Sequence, residues 1–175
     1  MADVRAIAQL GAEVLRLQAD KIKNVNSSET IKLIHALQDT LASTQGVGIS
    51  APQISISKRI IIVASRPSSR YPHAPMMEPT VMINPKFNPL TEEIEKDWEG
   101  CLSIPGIRAL VPRYTEIEIT YTDLENKQVT QKLTGFVARI FQHEFDHLQG
   151  IVYLDRVEDN LEIFAESEYF KLINK

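Results

Sequence analysis

Two histidines four residues apart, with a glutamate beside the first, make His143-Glu144-Phe145-Asp146-His147 the segment of this chain best suited to chemistry. On a helix, residues at i and i+4 share a face, so both imidazoles can reach one ion. Glu144 is then placed to handle the proton of a water activated there. The chain has four histidines in all and a single cysteine, Cys101. One cysteine excludes an intrachain disulfide and leaves a lone thiol, either a third metal ligand or an inert buried side chain.

Two further segments could bring backbone or amide groups to such a centre. Gly46-Val47-Gly48-Ile49-Ser50-Ala51-Pro52-Gln53 has small residues that let a main chain approach a ligand, and Gln53 offers both a donor and an acceptor. Taken alone, a Gly-rich stretch of this kind is most often a turn. Glu99-Gly100-Cys101-Leu102-Ser103-Ile104-Pro105-Gly106 brackets the thiol with turn formers, an arrangement that exposes it together with the adjacent N–H groups.

The elements that must position these groups are legible in outline. The 143–147 segment lies on a helix that Thr134 can cap and Gly150 can end, with Val137, Ile140, Phe141, Phe145 and Leu148 at helical spacing. A short helical pattern over 12–18 precedes a clearer helix over 29–43, with Asn26 as cap and Glu29 completing a capping box. Residues 59–64 read as a buried strand, 65–79 as a loop or insertion and 81–84 as strand. Residues 114–122 alternate, turn at 123–127 and return through 129–133 as a hairpin, and a last helix is expected over 158–172. The expected architecture is α+β: antiparallel sheets packed around a central metal-binding helix, with N-terminal helices and a C-terminal helix.

Composition bounds the rest. At 175 residues the chain suits one domain spanning 1–175, and its 43% hydrophobic and 24% charged residues describe an ordinary soluble globular protein. A net charge of −4 without a basic cluster argues against a dedicated nucleic-acid or membrane-surface binder. The longest apolar runs are far too short to span a bilayer, and charges interrupt the N-terminus where a secretory signal would be apolar. A cytoplasmic location is expected.

Together the three chemical segments resemble the polypeptide deformylase family, whose signatures G-x-G-x-A-A-P-Q, E-G-C-L-S and Q-H-E-x-D-H-L-x-G stand here in order at 46–53, 99–103 and 142–150. Ser50 departs from the usual alanine, a change expected to tune the pocket floor. The resemblance extends to residues 11–16, 84–85 and 108–113 and so covers nearly the whole chain. It implies Cys101, His143 and His147 as ligands of one divalent ion, Fe²⁺ in the cell, with Zn²⁺, Ni²⁺ or Co²⁺ also accepted. Three protein ligands with one open position is the catalytic layout. The implied reaction removes the formyl group from N-formylmethionine at the start of nascent polypeptides. Glu144 would move protons, and Gln53 with the Leu102 N–H would hold the oxyanion. Gly46, Val47, Phe136, Ile140 and His143 would wall the methionine pocket, and Gly48 would pair with the extended peptide. Glu99 and Arg113 are expected to form a supporting pair.

Two other readings compete. A zincin-type metalloprotease shares H-E-x-x-H, and its third ligand would fall at Tyr153, Glu166 or Glu168. A homologue that binds formyl peptides without turnover is the second. Ribosome association suits a nascent-chain substrate, but residues 158–175 are acidic, so docking through a basic C-terminal helix is not expected.

Overall fold

The computed structural model describes residues 2–68 and 71–173. Residues 69 and 70 of the 65–79 insertion, and Lys175 of the acidic tail, lie outside the described residues. The cap of helix α1 (Ser28–Ala42) lies one residue later than expected. Ser27, not Asn26, accepts the Thr30 N–H at 3.2 Å, while the Asn26 N–H is taken by the Asn24 side chain. Residues 12–18, expected to be a short helix, form only a 3₁₀ turn over Glu13–Arg16 that buries Leu15.

Five strands make one antiparallel sheet in the order β1-β2-β3-β6-β7: β1 (Gly48–Ser50), β2 (Ile60–Ser65), β3 (Met77–Pro89), β6 (Glu116–Thr122) and β7 (Gln128–Thr134). Three more, β4 (Ile94–Cys101), β5 (Ile104–Tyr114) and β8 (Ile163–Ala165), form the second in the order β4-β5-β8. The unbroken apolar run of β2 is explained by burial on both faces. Ile60 and Ile62 pack with Leu33, Leu37 and Leu41 of α1, whereas Ile61 and Val63 pack with Ile140 and Phe141 on the other side. Ile117 and Ile119 of β6 join the second group, as their alternation requires.

That second group is covered by helix α2 (Gly135–His147), which carries the His-Glu-Phe-Asp-His segment. Its start departs from expectation. Thr134 occupies the cap position without a side-chain cap bond, and the chain enters the helix through Gly135 at φ 54°, whose N–H donates to Thr115 O at 2.9 Å. The helix ends as expected before Gly150 at φ 74°.

Two stretches needed tertiary information. The 65–79 loop ends early because Met77 pairs with Ser65 and opens β3. The helix expected over 158–172 is only Glu166–Ile173, α3. Residues before it form a 3₁₀ turn (Asn160–Glu162), capped by Asp159, and then β8, whose pairing with Ile107, Arg108 and Ala109 prevails over local helix propensity. Among the described residues no helix is long and apolar enough to cross a membrane.

Gly150 fixes how α2 meets the N-terminal segment, because an added Cβ would lie 2.6 Å from Arg16 O. Gly150→Ala is expected to lower the unfolding free energy by at least about 1–3 kcal/mol, the usual cost of left-handed backbone in a non-glycine residue. Urea denaturation measures this; an unchanged midpoint would contradict the assigned packing.

Candidate metal centre

Hairpin β4–β5 and helix α2 bring the three ligating side chains together. Cys101 ends β4, and His143 and His147 lie one helical turn apart on α2. One donor atom from each lies within 4.8 Å of the others, and Cys101 Sγ is 3.3 Å from His147 Nε2. Burial opposes ionisation of the thiol, but His147 and His143 outweigh it and hold Cys101 well below its ordinary pKa. The thiolate is the metal-ligating form. The donor set thus fits a divalent ion that accepts sulfur and nitrogen and keeps one position open. Cys101 itself is half-buried rather than exposed as its turn-forming neighbours suggested.

Glu144 lies on the same helix with its carboxylate buried, and Oε2 has no hydrogen-bond partner among the described residues. Burial pushes its pKa up to about 7, against the pull of His143 and His147. Gly48 makes room for it, since a Cβ there would meet Glu144 Oε1 at 2.5 Å. A buried carboxyl with an unpaired oxygen beside a metal-ready cluster is suited to exchanging a proton with whatever binds there.

Gln53 is held in one orientation. Its Oε1 accepts from the Ser50 N–H at 2.9 Å and from the Ser50 hydroxyl at 3.2 Å. Its Nε2 therefore points toward Cys101 Sγ at 3.5 Å and Ser103 Oγ at 3.3 Å. Ser50, fully buried, contributes a contact to the glutamine that alanine cannot make. The N-terminal segment fixes the backbone of both neighbours: Ala8 N–H donates to Gln53 O at 2.8 Å and Leu10 N–H to Ser103 O at 2.9 Å.

The ring of His143 is set by Glu99, whose Oε2 lies 2.8 Å from His143 Nδ1. The expected Glu99–Arg113 pair is present and two-pronged, at 2.9 and 3.0 Å, and both side chains are buried. Burial would raise the Glu99 pKa, but Arg113 and His143 prevail and hold it well below the carboxylate range. Arg113 also reaches Asp146, which in turn takes Arg156 at 2.7 Å.

A cleft of about 280 Å³ opens onto the cluster, near the lower end of the roughly 300–1,000 Å³ seen for ligand pockets. Gly46, Val47, Gly48, Gln53, Leu102, Phe136, Ile140 and Glu144 line it, as do Cys101 and His143. Trp98, Tyr71, Arg108 and Arg139 line it too. Trp98 lies on β4, where charged neighbours mask the strand pattern. Tyr71, from the 65–79 insertion, packs tilted against Phe136 with ring centroids 4.7 Å apart, and nothing local to that segment announces the contact. Met76 is exposed, and Met77 packs with the core beneath α2. The residues that would complete a zincin set are engaged with other groups, although the Tyr153 ring lies 5.8 Å from that of His143 and Glu166 lines the cleft. Tyr153 donates to Ile107 O, Glu166 accepts from Arg108, and Glu168 pairs with Lys171.

Comparison with known proteins agrees with the geometry. Residues 4–162 match the family model for polypeptide deformylase. The sequence is 54% identical to peptide deformylase 2 of a Nostoc species, across 97% of this chain and 94% of that protein. The fold is similar to a class I type b peptide deformylase from Acinetobacter baumannii with Met-Ala-Ser bound, at TM-score 0.87 and 42% identity, covering 90% of this chain and 100% of that one. It is also similar to a peptide deformylase from Synechococcus elongatus in complex with actinonin, at TM-score 0.78 and 35% identity, covering 89% of this chain and 80% of that one. The chain belongs to the polypeptide deformylase family.

Proposed function

We propose that this protein is a metal-dependent peptide deformylase, a single catalytic domain over 1–175 that hydrolyses the formyl group from the N-terminal formylmethionine of new polypeptides and releases formate. The observation that carries this reading is the buried Glu144 carboxylate, whose Oε2 has no hydrogen-bond partner among the described residues, in the cleft that Cys101 and His143 of the Cys101–His143–His147 cluster line.

Cys101, His143 and His147 would hold a divalent ion, which when bound would supply a Lewis acid for the formyl carbonyl and would lower the pKa of water toward about 7. Fe²⁺ is the ion proposed for the cell, with Zn²⁺, Ni²⁺ or Co²⁺ able to replace it, in keeping with a mixed thiolate and imidazole set. Glu144, ionised when a cation is held beside it, would begin as the base despite its burial. It takes the proton of the attacking water and later passes one to the departing amine. The Gln53 Nε2 donor, aimed by Ser50, and the Leu102 N–H bind the oxygen on which negative charge develops. Gly46, Val47, Phe136, Ile140 and the His143 ring receive the methionine side chain, joined by Trp98 and Tyr71. β1 is an edge strand of its sheet, so Gly48 can pair with an extended peptide by strand addition.

A formylated nascent chain as substrate suits an enzyme of the cytoplasm with transient association at the ribosome. The short α3 has Glu166 and Glu168 in its first turn and so is not suited to holding RNA.

Formate release from formyl-Met-Ala-Ser, by protein purified anaerobically with Fe²⁺ or Ni²⁺, tests the reading. Glu144→Ala is expected to lower kcat by about 10²–10⁴-fold, the usual contribution of a positioned acid–base. No release from the unsubstituted, metal-loaded chain would favour a protein that only binds formyl peptides. Gln53→Leu is expected to lower kcat by about 10²–10³-fold with metal content unchanged; near-native turnover would remove Gln53 from the oxyanion role. Gly48→Ala should displace the Glu144 carboxylate and lower kcat on a scale of up to about 10²-fold while the protein remains folded. Native kcat in that variant would contradict the close approach.

A further inference from the structure

Glu99 has one cationic partner more than a buried carboxylate needs. Arg113 grips both oxygens, but its charge is shared with Asp146, which it meets at 2.5 Å. Arg139, one helical turn before His143 on α2, adds a third N–H to the same carboxylate: its Nη1 is 3.0 Å from Glu99 Oε1. The other bonds of Arg139 go to neutral carbonyls, Val111 O on β5 and Glu95 O on β4, both at 2.7 Å. Arg139 and Glu99 are both buried, and their pair is not dispersed by water. Oε1 thus accepts from Arg113 and Arg139, and Oε2 from Arg113 and His143, so the carboxylate has no freedom to rotate.

Resting on the metal-centre reading above, we propose that Arg139 is a positioning residue for that centre. By holding Oε1 of Glu99, it keeps Oε2 on His143 Nδ1 and fixes the imidazole that presents Nε2 to the ion. Outer partners of this kind typically change metal affinity by about 10–100-fold. A purely structural brace between α2 and the β4–β5 hairpin, made through Val111 O and Glu95 O, would change stability alone.

Titration of the metal-free chain with Co²⁺, followed by visible absorption, separates the two. Arg139→Met is expected to weaken Co²⁺ binding by about 10-fold or more and to shift the ligand-field bands. In a Glu99→Gln background it should add little further weakening, because the residues act as one unit. A lowered melting temperature with native Co²⁺ affinity and native bands would overturn the proposal in favour of the brace. Arg139→Lys keeps the charge but cannot span Glu99 and Val111 O as a guanidinium does. If Arg139→Met does not fold, Arg139→Lys is read alone: weakened affinity with shifted bands supports the proposal, and native values overturn it. Failure of the unsubstituted chain to take up Co²⁺ would overturn the metal-centre reading and this inference together, an outcome distinct from any result on the variants.

Discussion

The buried carboxylate of Glu99 ties the two halves of the site to each other. It sits near the end of β4, and its partners lie on β5 and α2: Arg113, Arg139 and His143. A buried charge without partners is costly, by several kcal/mol in a real protein, so hairpin and helix are stable only in the register that satisfies it. That register has a chemical consequence. Cys101 follows Glu99 by two residues and therefore arrives opposite His143 and His147, with Sγ 3.3 Å from His147 Nε2. The same carboxylate that anchors the packing also selects which imidazole nitrogen of His143 faces the cluster.

Around this anchor the sequence supplies room and orientation. Gly48 is small because Glu144 occupies the space a Cβ would take, and Gly100 because Arg108 lies against it, 2.6 Å from an added Cβ. Ser50 turns the Gln53 amide by occupying its oxygen twice. The N-terminal segment, remote in sequence, joins Gln53 and Ser103 through Ala8 and Leu10 and so keeps the glutamine and the turn after Cys101 at a fixed separation. One cleft is lined both by Cys101, His143 and Glu144 and by apolar side chains such as Val47, Phe136 and Ile140, a mixture common to small-ligand sites.

Much of this was legible in the sequence because it is local. The i, i+4 histidines, the glycine after their helix, the alternating β6–β7 hairpin and the doubly buried β2 follow from periodicity. The convergence of 46–53, 99–103 and 142–150 was legible only through family resemblance, since no local signal says that three separate segments meet. What escaped depended on distant partners. β4, with its run of charged residues, is a strand because β5 pairs with it, and residues 163–165 leave a helical pattern because Ile107, Arg108 and Ala109 offer them an edge. Tyr71 reaches the cleft from an insertion without a pattern, and nothing local to α2 announces that Arg139 meets Glu99 Oε1, Val111 O and Glu95 O.

The chemistry of the centre depends on the identity of its ligands. X-ray absorption at the zinc edge of Zn²⁺-loaded protein tests it most directly, because sulfur and nitrogen scatter differently. One sulfur at the usual distance of about 2.3 Å together with two imidazole nitrogens is the expected result, with the sulfur lost in Cys101→Ala. A zinc shell of nitrogen and oxygen alone in the unsubstituted chain would remove Cys101 from the centre and contradict the account.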